Sequence, residues 1–248
     1  MLRIIKPVIN WTCYVVTIVS FLCLFVKDTT AVIIAVTVFV VLLLVIAIYI
    51  LVFIYSHLKK TNNEFIGYAT FVKYETKPDG KNIEFEVYRQ IQCKQLVMSD
   101  FKHSFKWTGT KPAEISSNLQ KTNGKIYEAD DESYDHVKLN FKKALTYNET
   151  ATIHFLAKLD DVDDMSKPFV EFRVEVPLEI IHFRVILKHK PDNYRHPASL
   201  KRRKIKTQTG STDYQILETI SFDETCKSYE YHLLEPEVGY FYRIEWKK

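Results

Sequence analysis

Glycine, proline and cysteine are all scarce in this sequence: six Gly, eight Pro and four Cys in 248 residues. So little Gly and Pro excludes collagen-like and low-complexity chains, and it leaves little material for a Gly-rich triphosphate cradle. The four cysteines, Cys13, Cys23, Cys93 and Cys226, are too widely spaced for a disulfide scaffold, and none has C-x-x-C metal spacing. They read as reduced thiols packed as small hydrophobes. Catalytic signatures are missing too: there is no H-E-x-x-H, no G-x-S-x-G and no phosphate-binding Gly loop. The eight His are scattered and read as satisfied strand or loop residues. The chain is read as a non-enzyme, with no cofactor and no metal called for.

What is present is strongly uneven. From Pro7 to Val26 twenty consecutive residues carry no charge, and from Thr29 to Ser56 there are twenty-eight more. Both exceed the ~20 residues that a helix needs to cross a bilayer core. Only Lys27, Asp28 and their neighbours separate the runs, so residues 1–60 are expected to form a tight hairpin of two transmembrane helices. In hydrocarbon every backbone group must bond internally, which makes helices even of β-branched runs such as AVIIAVTVFVVLLLVIAIYI. Arg3 and Lys6 precede the first run, and Lys59 and Lys60 follow the second. Basic flanks favour the cytoplasm, so both termini are placed there. Neither run holds a carboxylate, Lys or Arg, which argues against a proton pump or secondary transporter.

After Asn63 the pattern changes to alternation. Ile83, Phe85, Val87, Ile91 and Cys93 fall on one face of a strand, with Glu84, Glu86, Gln90 and Gln92 on the other. Lys77-Pro78-Asp79-Gly80-Lys81 joins it to the preceding run Tyr68–Glu75 as a hairpin turn. Alternation recurs at Phe101–Trp107, Val137–Phe141, Ile153–Leu159, Phe172–Val176, Phe183–Leu187, Ile216–Ile220 and Tyr240–Trp246. Residues 61–248 are therefore expected to be one all-β cytosolic domain of eight to eleven strands, an antiparallel sandwich in preference to a closed barrel.

The acidic runs Asp160–Asp164 and Glu128–Asp135 read as solvated loops; the first lacks the Gly and distal Glu of an EF-hand. The basic segment is the candidate ligand site: Lys188, Lys190, Arg195, Lys201, Arg202, Arg203, Lys204 and Lys206 against one acid, Asp192. Such a surface can meet anionic lipid, nucleic acid, a small phosphorylated signal or only water.

The order of parts, a minimal two-helix hairpin followed by a β-only domain without catalytic motif, resembles small membrane effectors of bacterial anti-phage systems. It looks like the two-transmembrane effector encoded beside the reverse transcriptase of certain retrons, and is similar in plan to the two-transmembrane β-strand-rich effectors linked to cyclic-oligonucleotide synthases. The stretches FKWTGTKP (Phe105–Pro112) and GYFYRIEW (Gly239–Trp246) carry the likeness in the β domain. The resemblance implies an abortive-infection toxin that perturbs the bilayer as a homo-oligomer. Its trigger would be a reverse transcriptase with its RNA/DNA, or a cyclic oligonucleotide. The competing expectation is a membrane-tethered scaffold that recruits a cytosolic partner.

Overall fold

The computed structural model describes residues 17, 29–60, 63–127, 134–205 and 213–248. The chain divides into two compact units, Met1–Lys60 and Thr61–Lys248. In the first, helix α1 (Thr29–Lys60) runs for 32 residues. Its stretch Val32–Tyr55 is long and apolar enough to cross a membrane. At ~1.5 Å per residue it spans about 36 Å, against a hydrocarbon core of ~30 Å. Among the described residues no protein core surrounds the helix: Ile33, Leu51 and Tyr49 are 62%, 65% and 70% exposed. Within it, Thr37 Oγ1 donates to the carbonyl of Ile33 at 2.8 Å, returning its polar group to the helix backbone as an apolar solvent demands. The expected first span, Pro7–Val26, lies outside the described residues except for Thr17. Among the described residues the structure thus carries one membrane-length helix.

The second unit holds thirteen strands among the described residues: β1 (Phe65–Thr76), β2 (Asn82–Cys93), β3 (Val97–Phe105), β4 (Glu114–Ser116), β5 (Ile126–Tyr127), β6 (Asp135–Thr146), β7 (Thr150–Asp160), β8 (Phe169–Val174), β9 (Ile180–Leu187), β10 (Ala198–Lys204), β11 (Gln215–Ile220), β12 (Ser228–Leu234) and β13 (Tyr240–Glu245). They form three open sheets, ordered β12-β9-β1-β2-β7-β4, β11-β10-β13-β8 and β3-β6-β5, and no barrel closes. Two expectations are corrected. The sheets are not wholly antiparallel, because β1 and β9 pair in parallel from Ala69–Ile180 to Thr76–Leu187. A parallel partner must return from far along the chain, so local alternation cannot announce it. The strand count also exceeds the range read from alternation. β4 and β5 are too short to show a period, and in β10 the run Lys201–Lys204 hides it.

The β1–β2 hairpin forms where the turn residues require it. Asp79 Oδ1 accepts from the N–H of Lys81 and of Asn82 at 2.9 and 3.0 Å, and Gly80 takes φ 71°. The inward residues Val72, Val87, Phe155 and Phe183 of the six-stranded sheet are all but fully buried. Both smaller sheets cover that face. Phe101 of β3 meets Phe65 at 5.0 Å, Phe105 meets Phe155 at 5.2 Å, and Trp246, just after β13, meets Tyr74 at 5.1 Å between ring centroids. The covering layer is therefore split, with β3 and β8 as the outermost strands of their sheets. Of the cysteines described, Cys93 is buried as expected, whereas Cys226 is exposed in the turn before β12 and packs in no core.

Candidate functional site

The split in the covering layer holds a cavity of about 520 Å³, lined by β1 and β2 below and by residues of β3 and β8 at the sides. That size suits a small molecule. Phe65, Tyr74, Phe85 and Phe172 supply apolar wall, while Arg89, Lys102, His103, Lys106, Lys167 and Arg173 supply donors. Three carboxylates, Glu64, Glu171 and Glu175, also border it.

Arg89 sits at an inward register position of β2, between Val87 and Ile91. Its guanidinium carbon lies 5.3, 5.2 and 5.1 Å from the ring centroids of Phe65, Phe101 and Phe172. Nε is buried without a hydrogen-bond partner, and the side chain makes no ion pair among the described residues. Burial draws its pKa down to about 10, with only the more distant charge of Glu175 opposing, so the group remains a cation at neutral pH. Taking such an ion out of water costs several kcal/mol, of which each ring returns about 0.5–2 kcal/mol. The cation stands at the wall of the cavity, where an anion would meet it.

His103, on β3, faces the same space. It is 2% exposed, its ring lies 4.2 Å from that of Phe155, and neither ring nitrogen has a partner. Burial first, and the charge of Arg89 second, push its pKa to about 3. The imidazole is therefore neutral, with one donor and one acceptor unmet at roughly 1–3 kcal/mol each. The expectation that every His is a satisfied residue fails at this position. By contrast, the fully buried His154 meets it: Nδ1 accepts from the Asn118 N–H at 2.8 Å, which leaves Nε2–H to donate to Glu86 at 3.1 Å.

A second cationic cluster borders the cavity with the opposite character. The Glu171 carboxylate, on a side chain 2% exposed, accepts from the Tyr134 and Tyr214 hydroxyls and, at 2.9 Å, from Arg243 Nε. Arg203 lies 3.8 Å away. Arg243 also covers the Phe169 and Tyr214 rings at 3.7 and 4.1 Å. Burial, reinforced by Glu171, raises the pKa of both tyrosines, which stay protonated as donors.

The structure places the described part of the basic segment in the β9–β10 connection and on β10, and pairs most of it internally. Lys188, after β9, bonds Glu75, and Arg195 bonds Glu224. On β10, Lys201 reaches Glu245 at 2.8 Å, Arg202 reaches Glu237 at 2.6 Å, and Arg203 turns toward Glu171. Lys190 lies 4.8 Å over the Tyr194 ring. Lys204 is exposed with no ion-pair partner among the described residues, and Lys206 lies outside them. The acidic run is more structured than a solvated loop: Asp161 is 4% exposed and accepts from the Ser166 N–H at 2.8 Å and from its hydroxyl. Its neighbour Asp160 pairs with Lys111 at 2.6 Å. Residues 128–133 of the second acidic run lie outside the described set.

Arg89 and His103 were not singled out from the sequence, although both left a signal there. Each interrupts an otherwise apolar inward series, Ile83-Phe85-Val87-Arg89-Ile91-Cys93 and Phe101-His103-Phe105. A charged or titratable residue in the buried register is the mark to look for.

No family model matches the chain, and no curated protein matches it. Among solved structures, the M1 zinc metallopeptidase from Deinococcus radiodurans is similar at 8% identity and a TM-score of 0.38, over 74% of this chain and 42% of that one. Native yeast LTA4 hydrolase is similar at 10% identity and a TM-score of 0.38, over 75% and 30%. This chain spans less than half the length of either protein, and nothing about its fold or chemistry follows from likenesses of that size.

Proposed function

We propose that this protein is a membrane effector of a bacterial anti-phage system, a two-helix inner-membrane hairpin with both termini in the cytoplasm. In this reading the β domain receives a signal and oligomers of the hairpin then perturb the bilayer. One observation carries the receiving role: among the described residues, the cavity between β3 and β8 holds a half-buried guanidinium whose buried Nε has no hydrogen-bond partner, beside a buried imidazole with two unmet nitrogens. An interior that maintains an uncompensated charge is arranged for something anionic that arrives later. The bare apolar helix α1 supports the effector half of the reading. A cavity of about 520 Å³ takes a small molecule, so a phosphorylated signal such as a cyclic oligonucleotide is favoured over direct capture of a reverse transcriptase. The protein acts by binding and assembly; it is read as a non-enzyme because the sequence offers no catalytic motif.

The test is membrane potential, followed by dye in phage-infected cells that carry the chain in its native gene neighbourhood. The potential collapses before lysis with the natural sequence. It is retained with Arg89→Met, which keeps the volume but removes the charge, while the variant still fractionates with the membrane. Cells that keep their potential with the natural chain refute the effector reading and leave the tethered scaffold. Collapse that is indifferent to Arg89 removes the cavity from the mechanism.

A further inference from the structure

We propose that His182, Glu230 and His232 form a binding site for a borderline divalent transition-metal ion of the Zn²⁺ class, on the outward face of the six-stranded sheet. The site is independent of the cavity, which lies against the inward face.

The placement follows from register. β9 and β12 are antiparallel, with His182 directly opposite His232 and Leu233 opposite Ile181. Side chains directly opposite on one face have Cβ atoms about 4.5–5.5 Å apart, within reach of a shared ion. Alternation sends Ile181, Phe183 and Val185 inward and leaves His182 on the outer face. On β12, Glu230 lies two residues before His232 and so shares that face. Each of the three residues offers one ligand atom, and these atoms all lie within 4.8 Å of one another.

The side chains are already gathered. The two imidazole rings stack at 4.0 Å between centroids with 15° between planes, and His182 Nε2 is 2.6 Å from Glu230 Oε1. Phe71 of β1 packs against the other side of His182 at 4.8 Å, which limits how that ring can turn. Ligand atoms around a tetrahedral zinc at ~2.0–2.1 Å sit roughly 3.3 Å apart, so a small closure of exposed side chains completes the chelate.

Two imidazoles and one carboxylate select zinc, copper or nickel over the hard oxygen-seeking ions calcium and magnesium. The imidazoles must be neutral to bind. Arg184 stands opposite Glu230 in the register and is the one cation close to the site on β9. Three protein ligands leave at least one coordination position for water or an exogenous donor. Because β12 is the outermost strand of its sheet, a bound ion fastens that edge to β9.

The experiment uses the full chain in detergent, free of any affinity tag and stripped with a chelator. Zn²⁺ is titrated against a chromophoric competitor, and Co²⁺ binding is followed by its visible d–d bands. The expected result is one equivalent of Zn²⁺ per chain, a rise in the unfolding temperature, four-coordinate Co²⁺ absorption and no displacement by Mg²⁺ or Ca²⁺. His182→Ala and His232→Ala each weaken binding at least about ten-fold, as does Glu230→Gln. His232→Gln is the control for folding, since this exposed residue can change without opening the core. Stoichiometric binding lost in His232→Gln at an unchanged metal-free unfolding temperature supports the site. Absence of Zn²⁺ binding, equal affinity in the His and Glu variants, or competition by Mg²⁺ overturns it.

Discussion

Two arginine sites border one cavity, and they treat positive charge in opposite ways. Around Glu171 the charges of Arg203 and Arg243 are answered by a buried carboxylate that also accepts from two tyrosines. Arg89, on the neighbouring layer, has three phenyl rings and, among the described residues, no carboxylate in contact. The first arrangement is complete and serves the fold. The second leaves a guanidinium beside an open space, the arrangement on which the proposed reception of an anion rests. Cation and aromatic ring occur in both sites, so the presence or absence of a counterion is what separates them.

Mutations can break this comparison at graded cost. Replacing Glu171 by Leu strands two guanidinium groups and two phenols, and should lower the domain's stability by about 3–5 kcal/mol, read by denaturant unfolding of the full chain in detergent. Arg89→Met should act in the opposite direction, leaving stability unchanged or raising it by up to about 4 kcal/mol, because no partner is orphaned. A large loss of stability in Arg89→Met would show that the cage of rings is itself structural, and the contrast between the sites would fail.

His103 sharpens the comparison through pH. Its folded pKa of about 3 lies below the ordinary 6.5, so between those values the unfolded chain binds the extra proton. Stability from this group is complete above about pH 6.5 and falls by up to about 1.4 kcal/mol per unit as the pH drops toward 3. In His103→Phe that part of the pH slope should vanish; an unaltered slope would place the acid sensitivity elsewhere. The smallest effect belongs to the half-exposed strand pairs. Lys201→Met, which breaks the bond to Glu245, should cost only about 0–1 kcal/mol by the same unfolding measurement.

Much of the β unit was legible because alternation is a local signal. The hairpin at Lys77–Lys81, with Asp79 and Gly80 in their turn positions, and the long strands β1, β2 and β7 could be read directly. The β1–β9 pair could not, since it joins segments about 110 residues apart. Nor could the partners of the basic segment: Glu75, Glu171, Glu237 and Glu245 come from other strands or loops, so a strongly cationic run in the sequence became a set of ion pairs.

By itself the sequence determined that the apolar run from Thr29 to Ser56 is helical and of bilayer length, and that the chain beyond it is built from half-buried strands. Both follow from the solvent around each side chain, which composition and period record. Only the tertiary structure decided that the covering layer is split between β3 and β8, that Arg89 Nε and the His103 ring nitrogens border the gap without hydrogen-bond partners among the described residues, and that His182 and His232 face one another across two strands. Those facts depend on which distant strands become neighbours, and a pairing register leaves no trace in either strand read alone.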